Sequence, residues 1–180
     1  MIETAVQNGV ETVAQMMVIA ATTAPKAGGQ DHIRTMILTG DSVRELGEAM
    51  AAYGKRTQKK SFDRDGANVL NSAAVVLIGI EANPPTLGLD CGACGYPDCS
   101  ALEAAERVDG EFAGPICAHK MLDMGIALGS AVKTASLFNV DNRIMYRIGA
   151  VARYMGLVDW DYVMGVPLSV TAKSIYYDRK

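Results

Sequence analysis

The feature that most constrains this chain is the placement of its cysteines: Cys91, Cys94, Cys99 and Cys117, spaced C-x2-C-x4-C-x17-C, are all it has. Three of them fall within the stretch "GLDCGACGYPDCSAL". If the four thiols share a ligand, the segment around them must wrap about one centre and cannot run on as a long strand or helix. Three arrangements compete. Structural zinc usually takes two separated C-x2-4-C pairs, and here only Cys91 and Cys94 form one. A redox dithiol needs just that pair at a helix start, which leaves Cys99 and Cys117 without a role. A 4Fe-4S cluster takes four thiolates, commonly three from one tight loop and one from a distant segment, and the sequence has that distribution. Gly92, Ala93 and Gly95 let the backbone wrap closely with its amides free to face sulfur. Spacing favours the cluster, with zinc and unligated thiols as the remaining readings.

The rest of the composition narrows the class. A chain of 180 residues makes one compact domain, or a domain with an insertion. Its hydrophobic content of 49% is enough for a core without covalent staples, so the cysteines are not expected to be disulfides. "MIETAVQNGV" lacks the basic flank of a secretory signal, and the expectation is a reducing cytoplasm. The apolar runs "MMVIAA" and "AAVVLIGI" fall well short of the ~18 residues that span a bilayer. Net charge is −3, and the densest basic run, "GKRTQKK", has no interleaved aromatics. It reads as a solvated helix end, and no nucleic-acid partner is expected.

Periodicity supplies the elements. Ile2, Val6, Val10, Val13, Met17 and Ala20 predict a helix over 2–22, ended near Pro25. "HIRTMILTG" reads as a strand, and Asp41 as the cap of a helix with Val43, Leu46 and Met50 on one face. "AAVVLIGIEA" is a buried strand stopped by Pro84 and Pro85. Ser100 and Glu103 predict a capping box for the short helix "SALEAAERV". A longer helix over 119–138 carries Met121, Leu122, Ile126, Leu128 and Val132; Asp141 is expected to cap another with Ile144, Ile148, Val151 and Met155 in a stripe. "DYVMGVPL" is the last strand before a polar tail. The order helix, strand, helix, helix, strand, helices, strand predicts an α+β sheet covered by helices.

Two resemblances extend this reading. "LDCGACGYPDCSALEAA" with "PICAHK" resembles the iron–sulfur motif of corrinoid iron–sulfur proteins and of the B subunits of Rnf-type complexes; it implies low-potential one-electron transfer with all four cysteines as ligands of a 4Fe-4S cluster. "AATTAPKAGGQDHIRTMILTG", "SAAVVLIGI", "DMGIALGSAVKTASLFNVDNRIMYRIGAVARYMGL" and "VMGVPLS" resemble successive segments of the nitroreductase family. The implied architecture is a nitroreductase-like α+β domain over 1–83 and 121–180, carrying an inserted cluster-binding loop-helix module over 84–120. Such proteins are homodimers that bind FMN at the subunit interface. The whole chain also resembles an uncharacterised family described only as containing a ferredoxin domain.

Carried over position by position, the nitroreductase resemblance makes Lys26, Gly28, Gly29 and Lys173 the candidate flavin-binding residues, with Arg179 a further basic residue in the tail. The family's serine after "AP" is Lys26 here, its asparagine is Gly29, and its "QPW" is Asp31, His32 and Ile33. A loop lysine beside two glycines can hold a phosphate as a point charge; the plainer reading is a solvated lysine. His32, at a strand start, is read equally as satisfying a backbone carbonyl or touching a ligand, His119 as orienting the cysteine loop, the methionines as core, and Arg143 and Arg147 as a solvated face. The expected function is an iron–sulfur flavoprotein passing electrons to a small substrate or protein partner. The alternatives are a flavin-free ferredoxin-like carrier on the same scaffold and a zinc-stabilised structural protein.

Overall fold

The computed structural model describes residues 2–177; Arg179 and the side chain of Ile2 lie outside what is described. In chain order the elements are α1 (Ile2–Thr23), β1 (Ile33–Thr39), α2 (Asp41–Thr57), α3 (Phe62–Leu70), β2 (Ala74–Ile80), α4 (Cys99–Glu103), β3 (Val108–Asp109), β4 (Ala113–Gly114), α5 (Ala118–Leu137), β5 (Asp141–Asn142), α6 (Tyr146–Tyr154) and β6 (Tyr162–Ser169). Every residue of β2 is buried, as its unbroken β-branched and aliphatic run requires of a strand covered on both faces. It lies between β1 and β6, and the sheet order is β1-β2-β6-β5 with every pair antiparallel.

The alternation of β2 sorts the core. Val76, Ile78 and Ile80 face the layer in which Val10, Ala14 and Met17 of α1 meet Met124, Ala127 and Ala131 of α5. Val75 and Leu77 face the opposite layer, made by Leu46 and Met50 of α2, Phe62 and Val69 of α3, and Ile148 and Val151 of α6. This is the α+β sheet covered by helices. The closest approach is between α6 and β6, where a Cβ on Gly149 would lie 1.8 Å from the Val163 carbonyl oxygen and one on Gly165 would lie 2.0 Å from Ile148. Only glycine at both positions lets the helix seat this deeply.

Several expectations need correction. α6 begins at Tyr146, not at Asp141; residues 141–142 pair with Ser169 and Leu168 at the sheet edge, and Ile144 is exposed. α4 is capped by Asp98, whose Oδ1 accepts from Ala101 N at 2.8 Å, not by Ser100, and Glu103 accepts from the Thr86 hydroxyl instead of closing a capping box. The helix also ends at Glu103, and the chain turns into the β3–β4 hairpin. On α5 the buried face is Lys120, Asp123, Met124, Ala127, Leu128, Ala131 and Ala135, whereas Leu122 and Ile126 point outward. Val6 of α1 is likewise exposed. Arg147 is no solvated residue: it pairs with buried Asp65 at 2.9 Å, while Arg143 donates to the Tyr176 carbonyl.

The register defines two ends of the sheet. Ile33, Ile80 and Tyr162 lie at one end; Thr39, Ala74 and Leu168 lie at the other. Loops 24–32, 81–117 and 155–161 therefore gather at the first end, and the residues after Ser169 leave from the second.

Candidate metal centre

Residues 84–117 surround a small apolar kernel in which Leu87, Leu102 and Cys117 are buried and Ala27, Cys94 and Tyr96 pack against them. All four cysteines line one cavity there, with Leu89, Gly92, Tyr96, Asp98 and Leu102. Cys91 is exposed, Cys94 and Cys99 are half-buried, and Cys117 is buried. None is in a disulfide.

The backbone is shaped to aim amides at sulfur. Gly92 at φ +68° and Gly95 at φ +82° take the left-handed conformation that glycine adopts without penalty, and Gly95 N donates to Gly92 O at 3.0 Å to close the turn. Asp90 N donates to Cys99 Sγ at 3.3 Å and Ala118 N to Cys94 Sγ at 3.2 Å. Asp90 Oδ1 in return accepts from Cys99 N at 2.9 Å. Cys117 is the N-cap of α5, so the partial positive charge of that helix start lies beside the thiols. Burial pushes the Cys94 thiol up, opposed by the Ala118 amide and reinforced by Cys117 and Cys91.

Three buried charges fasten the loops at this end of the sheet, and sequence reasoning missed all of them. Asp161 accepts from Ala82 N and from Arg107, while its backbone bonds to Ile80 O and Ala113 N at 2.8 Å each. Lys120 donates to Pro84 O. Asp123 accepts from Ala27 N at 3.0 and 3.1 Å through its two oxygens. Burial lowers Lys120 from its ordinary value, against the opposing charges of Cys117 and Asp161. The available signal was that Lys120 and Asp123 fall in phase with the apolar stripe of Met124, Ala127, Leu128 and Ala131.

The candidate flavin residues fare differently. Gly28 and Gly29 are exposed with φ +62° and +67°, and their turn abuts the cysteine kernel through Ala27. The Lys26 ammonium turns back onto α1, donating to Ala21 O at 3.0 Å, Ala24 O at 2.9 Å and Thr22 O, with its side chain only 7% exposed. It caps a helix C-terminus and is not directed at a ligand. His32 is half-buried, and its Nε2 is buried without a partner. Lys173 follows β6 at the far end of the sheet, so within one protomer it does not join the 26–29 turn.

Residues 88–108, which include Cys91, Cys94 and Cys99, match the family described as "Putative Fe-S cluster". Residues 113–179 match the family described as "Uncharacterized protein containing a ferredoxin domain". A protein of Archaeoglobus fulgidus, itself called "Uncharacterized protein", is 43% identical over 171 residues, covering 95% of this chain and 92% of its own length. The chain belongs to the ferredoxin-domain family. This family member has the fold of nitroreductases. The nitroreductase CinD from Lactococcus lactis, solved with 4-nitrophenol, superposes with a TM-score of 0.62 at 15% identity, over 91% of this chain and 79% of its own. A nitroreductase of Desulfitobacterium hafniense with bound FMN gives 0.58 at 12% identity, over 90% and 78%. Among the described residues, no helix is long and apolar enough to cross a membrane.

Proposed function

We propose that this ferredoxin-domain protein is an iron–sulfur electron-transfer protein in which Cys91, Cys94, Cys99 and Cys117 hold a 4Fe-4S cluster. The observation that carries the proposal is the convergence of all four thiols on one cavity that receives two backbone amides at sulfur. The donor set is all thiolate, which suits iron–sulfur clusters. When bound, the cluster supplies one-electron redox chemistry. The protein wraps it, bonds two of its sulfurs and keeps the Cys117 side away from water while the Cys91 side stays accessible to a donor or acceptor. On this reading 84–120 is an inserted module on a nitroreductase-like body.

The FMN expected from the fold family fits less well. At the 26–29 turn the Lys26 charge is committed to α1, and the Ala27 amide already bonds the Asp123 carboxylate, an anion that opposes a phosphate. Gly28 and Gly29 remain open, but no cation of this turn faces them. The flavin-free carrier is therefore the reading the geometry supports best. Homodimer formation is supported by a stripe of exposed apolar side chains on adjoining helices, Met16 and Ile19 of α1 with Leu122 and Ile126 of α5.

The test is an absorption spectrum of anaerobically purified protein, before and after acid precipitation, with iron, sulfide, zinc and flavin counted. Four irons and four sulfides per chain without flavin is the expected result. Flavin released in stoichiometric amount would restore the flavoprotein reading, and a colourless chain with one zinc would overturn both.

A further inference from the structure

Lys120 is the anomaly of the core. It is 1% exposed, and an ammonium has three N–H donors to satisfy. Its one side-chain bond is to the Pro84 carbonyl, and among the described residues no carboxylate pairs with it. The other buried charges are all answered: Asp65 by Arg64 and Arg147, Asp161 by Arg107 and the Ala82 amide, Asp123 by the Ala27 amide. Burying an uncompensated cation is costly, and a neutral donor would hold the Pro84 carbonyl at less cost. Of the opposing charges around it, Asp161 is already held by Arg107 and the Ala82 amide, which leaves the thiolates of the cysteine site, Cys117 foremost.

The position of Lys120 agrees. The residue sits one turn into α5, whose N-cap is Cys117, and Cys117 N bonds Pro85 O at 3.0 Å beside the carbonyl that Lys120 holds. Four thiolates outweigh the positive charge of an iron–sulfur core, and each electron accepted adds one more negative charge next to this ammonium. We infer that Lys120 is the counter-charge of the cysteine site, where it favours the reduced state and raises the reduction potential of the bound cluster. The inference rests on the cluster reading above and adds to it a specific residue that tunes the potential. Lys120 touches no reacting atom; it acts through the field it imposes. One electron enters from a low-potential donor, dithionite in the test, and the charge of the site falls by one.

The test compares the full chain with Lys120→Gln, which keeps a donor for Pro84 but removes the charge, and Lys120→Arg, which keeps the charge. After anaerobic reconstitution, iron and sulfide are counted and the midpoint potential is read by titration monitored with electron paramagnetic resonance. Lys120→Gln is expected to load normally and to lower the reduction equilibrium constant at least tenfold, about 59 mV for one electron. Lys120→Arg should stay within about threefold of the unsubstituted chain. A glutamine variant that fails to load where the arginine variant loads also supports the inference. A loaded glutamine variant with an unmoved potential overturns it, as do an arginine variant shifted as far as the glutamine one and the failure of both to load; Lys120 would then be a tether. Absence of acid-labile sulfide in the unsubstituted chain is a different result, which sinks the cluster reading and this inference with it.

Discussion

Asp161→Ala should loosen the cysteine segment while leaving the sheet intact. The carboxylate serves two donors in 81–117. Ala82 is 1% exposed, so its amide loses its only acceptor in a place water does not reach, at a cost of about 1–3 kcal/mol. Arg107 is half exposed, so that ion pair contributes no more than about 1 kcal/mol. The backbone bonds from Ala113 to Asp161 and from Asp161 to Ile80 survive. The loss is roughly 1–4 kcal/mol, at about 1.4 kcal/mol per tenfold an increase in local opening of roughly 5- to 700-fold. Amide hydrogen exchange reads it residue by residue: protection across 82–117 should fall by that factor while β2 and β6 keep theirs, and Arg107→Ala should move the same amides less than about fivefold. A fall below about fivefold, or one shared equally by β2 and β6, would refute the claim that this side chain fastens the segment.

Other expectations are equally open to measurement. Gly149→Ala puts a methyl 1.8 Å from the Val163 carbonyl oxygen and 2.4 Å from its carbon, and since backbone cannot swing aside it should cost about 1–3 kcal/mol or more in urea unfolding; an unchanged midpoint would mean α6 can lift from the sheet freely. Cys94→Ser and Cys117→Ser should each lose iron, and full occupancy in both would disprove the ligand set. Ile126→Glu should turn a dimer into a monomer by sedimentation, and a sedimentation coefficient unaffected by the change removes the α1–α5 face as the contact. His32 is held below its ordinary 6.5, chiefly by burial and then by Lys120 and Arg34. The unfolded chain therefore takes up a proton that the folded chain declines, and stability falls as pH drops below about 6.5. His32→Asn should flatten that slope in a series of melts, and a slope as steep as before would acquit the histidine.

What the sequence disclosed follows from the range of the interactions involved. β2 was legible because a seven-residue run buried on both faces has no polar alternation to misread, and α2 because its stripe and basic last turn agree, although its N-cap is Gly40 and not the expected Asp41, which is the first residue of the helix and caps nothing. Asp141 misled because it is a good capping residue whose partner, Ser169, lies 28 residues on in the sequence; nothing local announces that pairing. The shift of the α4 cap from Ser100 to Asp98 has the same origin, since the Cys99 amide is drawn to the Asp90 carboxylate across the cysteine loop. On α5 apolar residues fall all around the helix, so their pattern does not single out the core face. Leu122 and Ile126 are apolar and exposed, Lys120 and Asp123 charged and buried, an inversion that composition alone conceals. Lys26 was located correctly on its loop, yet a flexible side chain five residues from a free helix carbonyl can as well turn back as reach out.

The inversion on α5 has a physical reading that reaches beyond that helix. Among the described residues the buried charged side chains are Asp65, Lys120, Asp123 and Asp161, and the last three all act at the sheet end that carries the cysteines. Each fixes a different loop there: Lys120 the prolines that open the segment, Asp161 its first amide and its hairpin, Asp123 the 26–29 turn. Apolar residues of similar size would often give equal or greater stability at such positions. What they cannot give is direction, because an apolar contact tolerates sliding whereas a charge-assisted bond to one named amide or carbonyl does not. Electron transfer asks for that kind of placement, with sulfurs held at set distances from fixed amides and from a fixed cation. The remaining buried charge, Asp65 on α3, is answered by two arginines. On the electron-transfer reading proposed above, three of the four buried charges among the described residues act where the placement of sulfur matters.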